Sequence, residues 1–169
     1  MKKLLPLLAV LLALCALMTS ALAYKNCETY GLVTVYSGPW DLYPQLCALP
    51  SGMKLQAIEY ELNDQDDTLW HLVEFTLGGK VYRGYIENSD PIAFESASGY
   101  YEAEHTENIR FMKRDAVVYA APYGNAAVTG NVCTDENVTV LAEEGGYLLI
   151  DYEQYGQPCR GYIAPGAIR

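Results

Sequence analysis

The sequence predicts an all-β protein made of two small units in tandem. Three observations carry this expectation. The stretch WHLVEFTLGGKVYRGYI, residues 70 to 86, recurs without a gap as YLLIDYEQYGQPCRGYI, residues 147 to 163, with six identical positions. Elsewhere the apolar residues gather in strand-length runs punctuated by Gly, Asn and Asp, the spacing of hairpins. No stripe at the 3.6-residue period of a helix competes with those runs.

The chain opens with Lys2 and Lys3, an apolar run from Leu4 to Met18, and the small-residue exit Ala21-Leu22-Ala23. This is the layout of a secretory signal peptide, so residues 1–23 are expected to be removed after Ala23. The run is short for a membrane span of roughly 20 residues. Leu14 before Cys15 fits lipoprotein cleavage poorly. The first unit, 24–88, is expected to place strands at Leu32 to Tyr36, Met53 to Tyr60, Trp70 to Thr76 and Val81 to Ile86, with a long irregular loop after the first. An acidic linker follows at 89–107, although Ile92, Phe94, Tyr100 and Tyr101 suggest that part of it packs. The second unit, 108–169, repeats the pattern at Ala116 to Tyr119, Val138 to Ala142, Tyr147 to Glu153 and Cys159 to Ile163. VYSGPW at 35–40 answers VYAAPY at 118–123 at an offset of 83, against 77 for the longer repeat. The first copy therefore holds six extra residues, assigned to the polar stretch ELNDQDDTLW.

Side chains alternate across a strand, so Leu148, Ile150 and Tyr152 share one side, and His71, Val73 and Phe75 share the equivalent side. That side is the expected core, and it makes His71 a core residue rather than a catalytic one. The opposite side carries Trp70, Leu72 and Glu74, or Tyr147, Leu149 and Asp151, with the leading aromatic at the exposed start of the strand.

Loss of the leader takes the formal charge from −10 to −12. Such a surface repels nucleic acid and anionic membrane and leaves open neutral glycans, peptides and basic partners. Four cysteines follow the leader: Cys27, Cys47, Cys133 and Cys159. In an exported chain an even count suggests disulfides, and four thiols allow three pairings. If each unit closes on itself, the pairs are Cys27 with Cys47 and Cys133 with Cys159, each stabilising by about 3 kcal/mol. Only His71 and His105 could join them at a metal, no CxxC occurs, and no metal or cofactor is expected.

The VYSGP segment, the LPSGMKLQAI passage, the strand opening on Trp70 and the closing GGKVYRGYI together resemble the bacterial Src-homology-3-like (SH3b) family. The resemblance spans about residues 27 to 90 and, more faintly, 108 to 169. It implies two SH3-like barrels of five or six strongly bent strands, non-enzymatic as isolated modules, of a kind that commonly binds cell-wall peptides, glycans or other proteins. Ser37, Gly38 and Pro39 match the family's loop motif, where the second copy has Ala120 and Ala121 before Pro122. Gly84 and Tyr85, and again Gly161 and Tyr162, match its final strand. An aromatic at the position of Trp70 lines the ligand groove in the related eukaryotic domains, and Tyr147 takes that place in the second copy.

Aromatic rings with an apolar face and a polar edge suit sugar stacking and peptide grooves, and fifteen tyrosines follow the leader. The expected ligand face comprises Tyr36, Trp40, Trp70 and Glu74 in the first module, and Tyr119, Tyr123 and Tyr147 in the second. Other chemistry is disfavoured. A Cys–His nucleophile would spend cysteines better used as disulfides. NDQDD at 63–67 lacks the glycine a calcium loop needs at its sixth position. The expected function is a secreted, monomeric, non-catalytic protein that recognises peptidoglycan-type peptide or glycan at the cell envelope. The alternative is a secreted protein-interaction module such as an enzyme inhibitor or effector.

Overall fold

The computed structural model describes residues 25–63, 65–95 and 101–169. The leader and its cleavage site, Asp64 and Tyr100 lie outside the described residues. The strands are β1 (Lys25–Thr29), β2 (Val33–Tyr36), β3 (Gln45–Leu49), β4 (Lys54–Asn63), β5 (Thr68–Leu77), β6 (Lys80–Glu87), β7 (Ile92–Phe94) and β8 (Tyr101–Glu102), followed by β9 (Asn108–Phe111), β10 (Ala116–Tyr119), β11 (Val128–Val132), β12 (Asn137–Glu144), β13 (Tyr147–Gln154) and β14 (Gln157–Ile163). A single 3₁₀ turn, Pro165–Ala167, follows the last strand. The chain is all-β, in two sheets.

The sheets repeat one another. The first runs β3-β2-β6-β5-β4-β1 and the second β11-β10-β14-β13-β12-β9. Even the irregularities recur: the register slips between Val35 and Tyr36 and again between Val118 and Tyr119. It slips also around Ile58 in β4 and around Leu141 in β12. A bulge turns one extra side chain to the other face of its strand, so Ile58 and Leu141 join the outer face rather than the inner core. The inner cores form on the faces that strand alternation assigned, with Val73, Phe75 and Ile86 in one and Leu148, Ile150, Tyr152 and Ile163 in the other. His71 is buried there, its Nε2 2.9 Å from Asn88 Oδ1 and its ring 5.0 Å from Phe94.

The six extra residues fall where expected. β4 and β5 outlast their counterparts β12 and β13: beyond the equivalent pairs Glu61–Trp70 and Glu144–Tyr147, the first module adds the rungs Leu62–Leu69 and Asn63–Thr68, where the second closes at once with a two-glycine turn. At that added turn Asp66 accepts hydrogen bonds from the Thr68 backbone and hydroxyl, and Asn63 Oδ1 accepts from the Gln65 backbone, so these oxygens serve their own loop.

Three expectations need correction. The irregular loops after β2 and β10 each contain a strand, β3 and β11, held by backbone pairing that their mixed sequences do not advertise. Part of the acidic linker packs as expected, but the first unit runs past residue 88 into it: β7 adds antiparallel to β1, and β8 adds parallel to β4, where Tyr101 stays exposed. Ile92 and Phe94 cover the first core from that edge, which is why an acidic segment carries them. Finally, the two expected disulfides are not formed; Cys27, Cys47, Cys133 and Cys159 are all free thiols. Cys27 on β1 and Cys47 on β3 sit at distant places in the strand order, and Cys133 lies exposed beyond β11, which does not border the β14 strand of Cys159. Cys27 instead points its thiol at Leu55 O, 3.7 Å away, and burial pushes its pKa up to about 11.

Candidate functional site at the seam between the modules

Two tight turns set the site. In the repeated hairpin both central residues, Gly78-Gly79 in β5–β6 and Tyr155-Gly156 in β13–β14, have positive φ, the condition of a type I′ turn. That turn fixes register, placing Glu74 opposite Arg83 and Asp151 opposite Arg160, on the outward face in both modules. Gly84 and Gly161, beside the arginines, lie so close to β2 and β10 that an added Cβ would overlap Val35 or Val118 and approach Tyr36 O at 2.8 Å or Tyr119 O at 3.0 Å. The shared Arg-Gly-Tyr is thus a packing device: glycine lets the strand approach, and arginine and tyrosine flank it on the outer face.

The two outer faces meet. Arg83 Nε donates to Glu74 of its own module at 2.8 Å, while its Nη1 reaches across to Glu144 at 2.5 Å and to the Tyr162 hydroxyl at 3.2 Å. Arg160 mirrors it, donating from Nε to Asp151 at 2.7 Å and from Nη1 to Glu61 at 2.8 Å and to the Tyr85 hydroxyl at 3.0 Å. In the sequence match Glu61 corresponds to Glu144 and Tyr85 to Tyr162, so each arginine performs the same exchange with the opposite module. A further ring lies near each guanidinium, Tyr123 at 5.4 Å from Arg83 and Tyr43 at 5.8 Å from Arg160. In the backbone Trp40 remains the counterpart of Tyr123, each N–H donating to the carbonyl two residues earlier, but it is the Tyr43 ring that takes beside Arg160 the place Tyr123 takes beside Arg83.

Both guanidinium groups are almost wholly removed from water. Burial opposes their charge, but for Arg83 the Tyr162 and Glu144 groups, and for Arg160 the Tyr85, Asp151 and Glu61 groups, outweigh it, so both remain cations. Burial also raises the Glu61 carboxyl, yet the His105 hydrogen bond at 3.1 Å and the Arg160 charge leave it below the ordinary range. Neighbouring Glu59, without such a bond, is held above it by burial. Leu72, Tyr85, Leu149 and Tyr162 close around a space of about 10 Å³, the lower limit for a single water. Backbone contacts complete the seam: Arg83 N donates to Ala120 O and Ala127 N to Val81 O, each at 3.0 Å.

The residues expected to form a ligand face divide accordingly. Trp70 is not at an exposed strand start: it is 3% exposed, packed with Ile58, Leu72, Tyr85 and Tyr36, and its Nε1 donates to Thr68 Oγ1 on the strand extension that the extra residues build. Glu74 and Tyr123 belong to the seam, Glu74 Oε2 accepting from both Arg83 and the Tyr123 hydroxyl. Tyr36 meets Trp70 edge-on with ring centres 5.6 Å apart, and Tyr119 meets Tyr147 likewise at 6.0 Å. Tyr36, Trp40, Tyr119 and Tyr147 are half-buried and keep part of their surface in water. Arg83 and Arg160, which organise the site, were not among the expected residues. Their signal was present: an arginine at the same place in both copies of a strongly acidic chain. Among the described residues no group of His, Cys, Asp and Glu is arranged to hold a metal ion.

No family model and no curated protein matches the chain. Solved structures similar to it include the following two. The structure of NlpC1 from Trichomonas vaginalis is 16% identical, with a TM-score of 0.35 over 89% of this chain and 47% of that one. The structure of NlpC2 from the same organism is 17% identical, with a TM-score of 0.34 over 89% of this chain and 49% of that one. The chain spans about half the length of either.

Proposed function

We propose that this chain is an exported, non-catalytic binding protein of two SH3-like modules, clasped face to face, that recognises peptide or glycan of the cell envelope. The observation that carries the reading is the duplicated aromatic pair. The same edge-on contact is built twice, Tyr36 on Trp70 and Tyr119 on Tyr147, each beside the seam and each with a tyrosine still partly in water. Half-exposed rings with an apolar face and a hydroxyl rim suit sugar faces and extended peptides. The seam itself withdraws Leu72, Tyr85, Leu149 and Tyr162, so the ligand surface is the rim formed by Tyr36, Trp40, Tyr119 and Tyr147. The acidic surface, formally −10 over the whole sequence, favours neutral or cationic ligands and speeds their approach.

Sedimentation of the pure protein with washed peptidoglycan tests this. The intact chain is expected in the pellet, and the Tyr36→Ala/Tyr119→Ala double variant is expected to lose at least tenfold in retention while keeping its fold by circular dichroism. A folded double variant that sediments like the parent, or an intact chain that stays in solution and instead captures one protein from culture supernatant, defeats the reading. A fall in wall turbidity with pure protein would make the chain an enzyme.

A further inference from the structure

The two sheets differ at one edge. In the first module β1 is covered by β7, with Cys27 opposite Phe94, Glu28 opposite Ala93 and Thr29 opposite Ile92. In the second module the equivalent strand is β9, and the same path begins with Met112 bridging Ile168, Lys113 N donating to Ala167 O and Arg169 N donating to Phe111 O. Ile168 thus takes the seat of Ile92. Farther along β9, at Arg110, Ile109 and Asn108, no described strand lies on the outer side. Exposure agrees: all four residues of β9 are exposed, Ile109 at 69% and Phe111 at 49%, whereas Cys27 on β1 is buried.

The missing element has a seat waiting. Phe94 lies 5.0 Å from the His71 ring and under Lys25 Nζ at 4.6 Å, in the space beside Cys27 and Ala57. The counterparts of His71, Lys25, Cys27 and Ala57 are Leu148, Asn108, Arg110 and Val140. These four, with Ile168, line a cavity of about 450 Å³ in the second module. It therefore occupies the place of the Phe94 ring, bordered by apolar Leu148, Val140 and Ile168 and opened by Arg110 at its mouth.

We propose that the β9 edge is a docking site for an extended peptide strand of another protein, paired antiparallel, which seats an aromatic side chain opposite Arg110. The next residue's N–H donates to the Ile109 carbonyl, as Glu95 N donates to Asn26 O at 3.0 Å in the first module. Backbone pairing supplies the generic part of the affinity and the ring in the cavity supplies selection. The guanidinium of Arg110 can lie over that ring, as Lys25 does over Phe94. A second copy of this chain is the poorer occupant. Lending its β7 would uncover its own core, and pairing β9 with β9 would bring Arg110 side chains together while putting no ring in the cavity.

A dye-labelled peptide that begins at the aromatic, copying residues 94–99, Phe-Glu-Ser-Ala-Ser-Gly, tests the site on the full chain, because Ile168 and Arg169 already hold the places of Ile92 and Ala93. The expected result is saturable binding that moves the amide resonances of Ile109 and Arg110 and the methyl resonances of Leu148, and weakens at least tenfold when the peptide's Phe is replaced by Ala. Ile109→Pro, which removes an N–H facing the open edge and leaves the β12 side paired, is expected to abolish binding. If that variant fails to fold, the resonance map of the parent chain decides alone. Binding that leaves β9 resonances unmoved, indifference to the Phe→Ala change, no binding at millimolar peptide, or dimerisation of the chain through β9 overturns the proposal.

Discussion

Replacing Arg160 by Met tests the seam most directly. The variant keeps roughly the volume of the side-chain stem and removes the guanidinium, leaving Asp151 with only the long Tyr43 hydroxyl contact at 3.4 Å and Glu61 with only His105 at 3.1 Å. Breaking one side of a buried ion pair costs about 3 to 5 kcal/mol, most of it the stranded charge. The Glu61 and Asp151 side chains retain 18% and 28% of their exposure, so water softens the loss and the lower figure applies. At a urea dependence of about 2 kcal/mol per molar, a loss of about 3 kcal/mol moves the midpoint down by about 1.5 M. The assay is urea unfolding followed by tyrosine and tryptophan fluorescence. Neutralising the stranded partners as well, in Arg160→Met/Glu61→Gln/Asp151→Asn, is expected to restore most of the loss, because uncharged groups tolerate the site. A midpoint shift below about 0.5 M for the single variant, or a triple variant no better than the single, would refute the claim that the seam's charges are held by mutual neutralisation.

Three other outcomes follow from the same geometry. Gly84→Ala and Gly161→Ala should each cost about 1 to 3 kcal/mol by thermal unfolding, since the added carbon meets the neighbouring valine and a backbone carbonyl that cannot retreat. Acidification should weaken the fold below the ordinary glutamate value of 4.5. The folded-state pKa of Glu61 is depressed, so its contribution is complete above that value and lost as pH falls through the lower folded value. Glu59, raised by burial, acts with the opposite sign and gains as it protonates first. Melting temperature followed from pH 6 to 3 should therefore fall less steeply in Glu61→Gln than in the parent; equal slopes would exclude Glu61 as a source of acid lability. Thiol labelling at pH 8 should find exposed Cys133 fast and Cys27 slow until denaturant is added. At a pKa of about 11, only about one Cys27 in a thousand is thiolate, and rapid native labelling of Cys27 would contradict its placement.

The amino-acid sequence by itself determined the duplication, the paired hairpins and the inward face of each strand. These rest on short-range rules: a two-residue turn fixes register, and alternation then assigns every side chain to one face or the other. Those rules placed Val73, Phe75, Ile150 and His71 correctly and put the six-residue insertion in the right loop. They could not say what covers the outward face. Trp70, Leu72 and Glu74 point away from their own core in either case, and only the opposing module, whose Glu144 and Tyr162 reach Arg83 from 61 and 79 residues away, decides that this face is dry. The arginines illustrate the reason. On an isolated hairpin an outward arginine paired with the carboxylate across from it is an ordinary solvated ion pair; its role appears only when a carboxylate and a phenol of the other module converge on it. The edges were equally hidden, since β1, covered by β7, and the uncovered half of β9 differ by what lies beside them. Pairing across a sheet edge, and desolvation at a seam, are properties of neighbours that chain order does not make adjacent, so tertiary structure alone decided both.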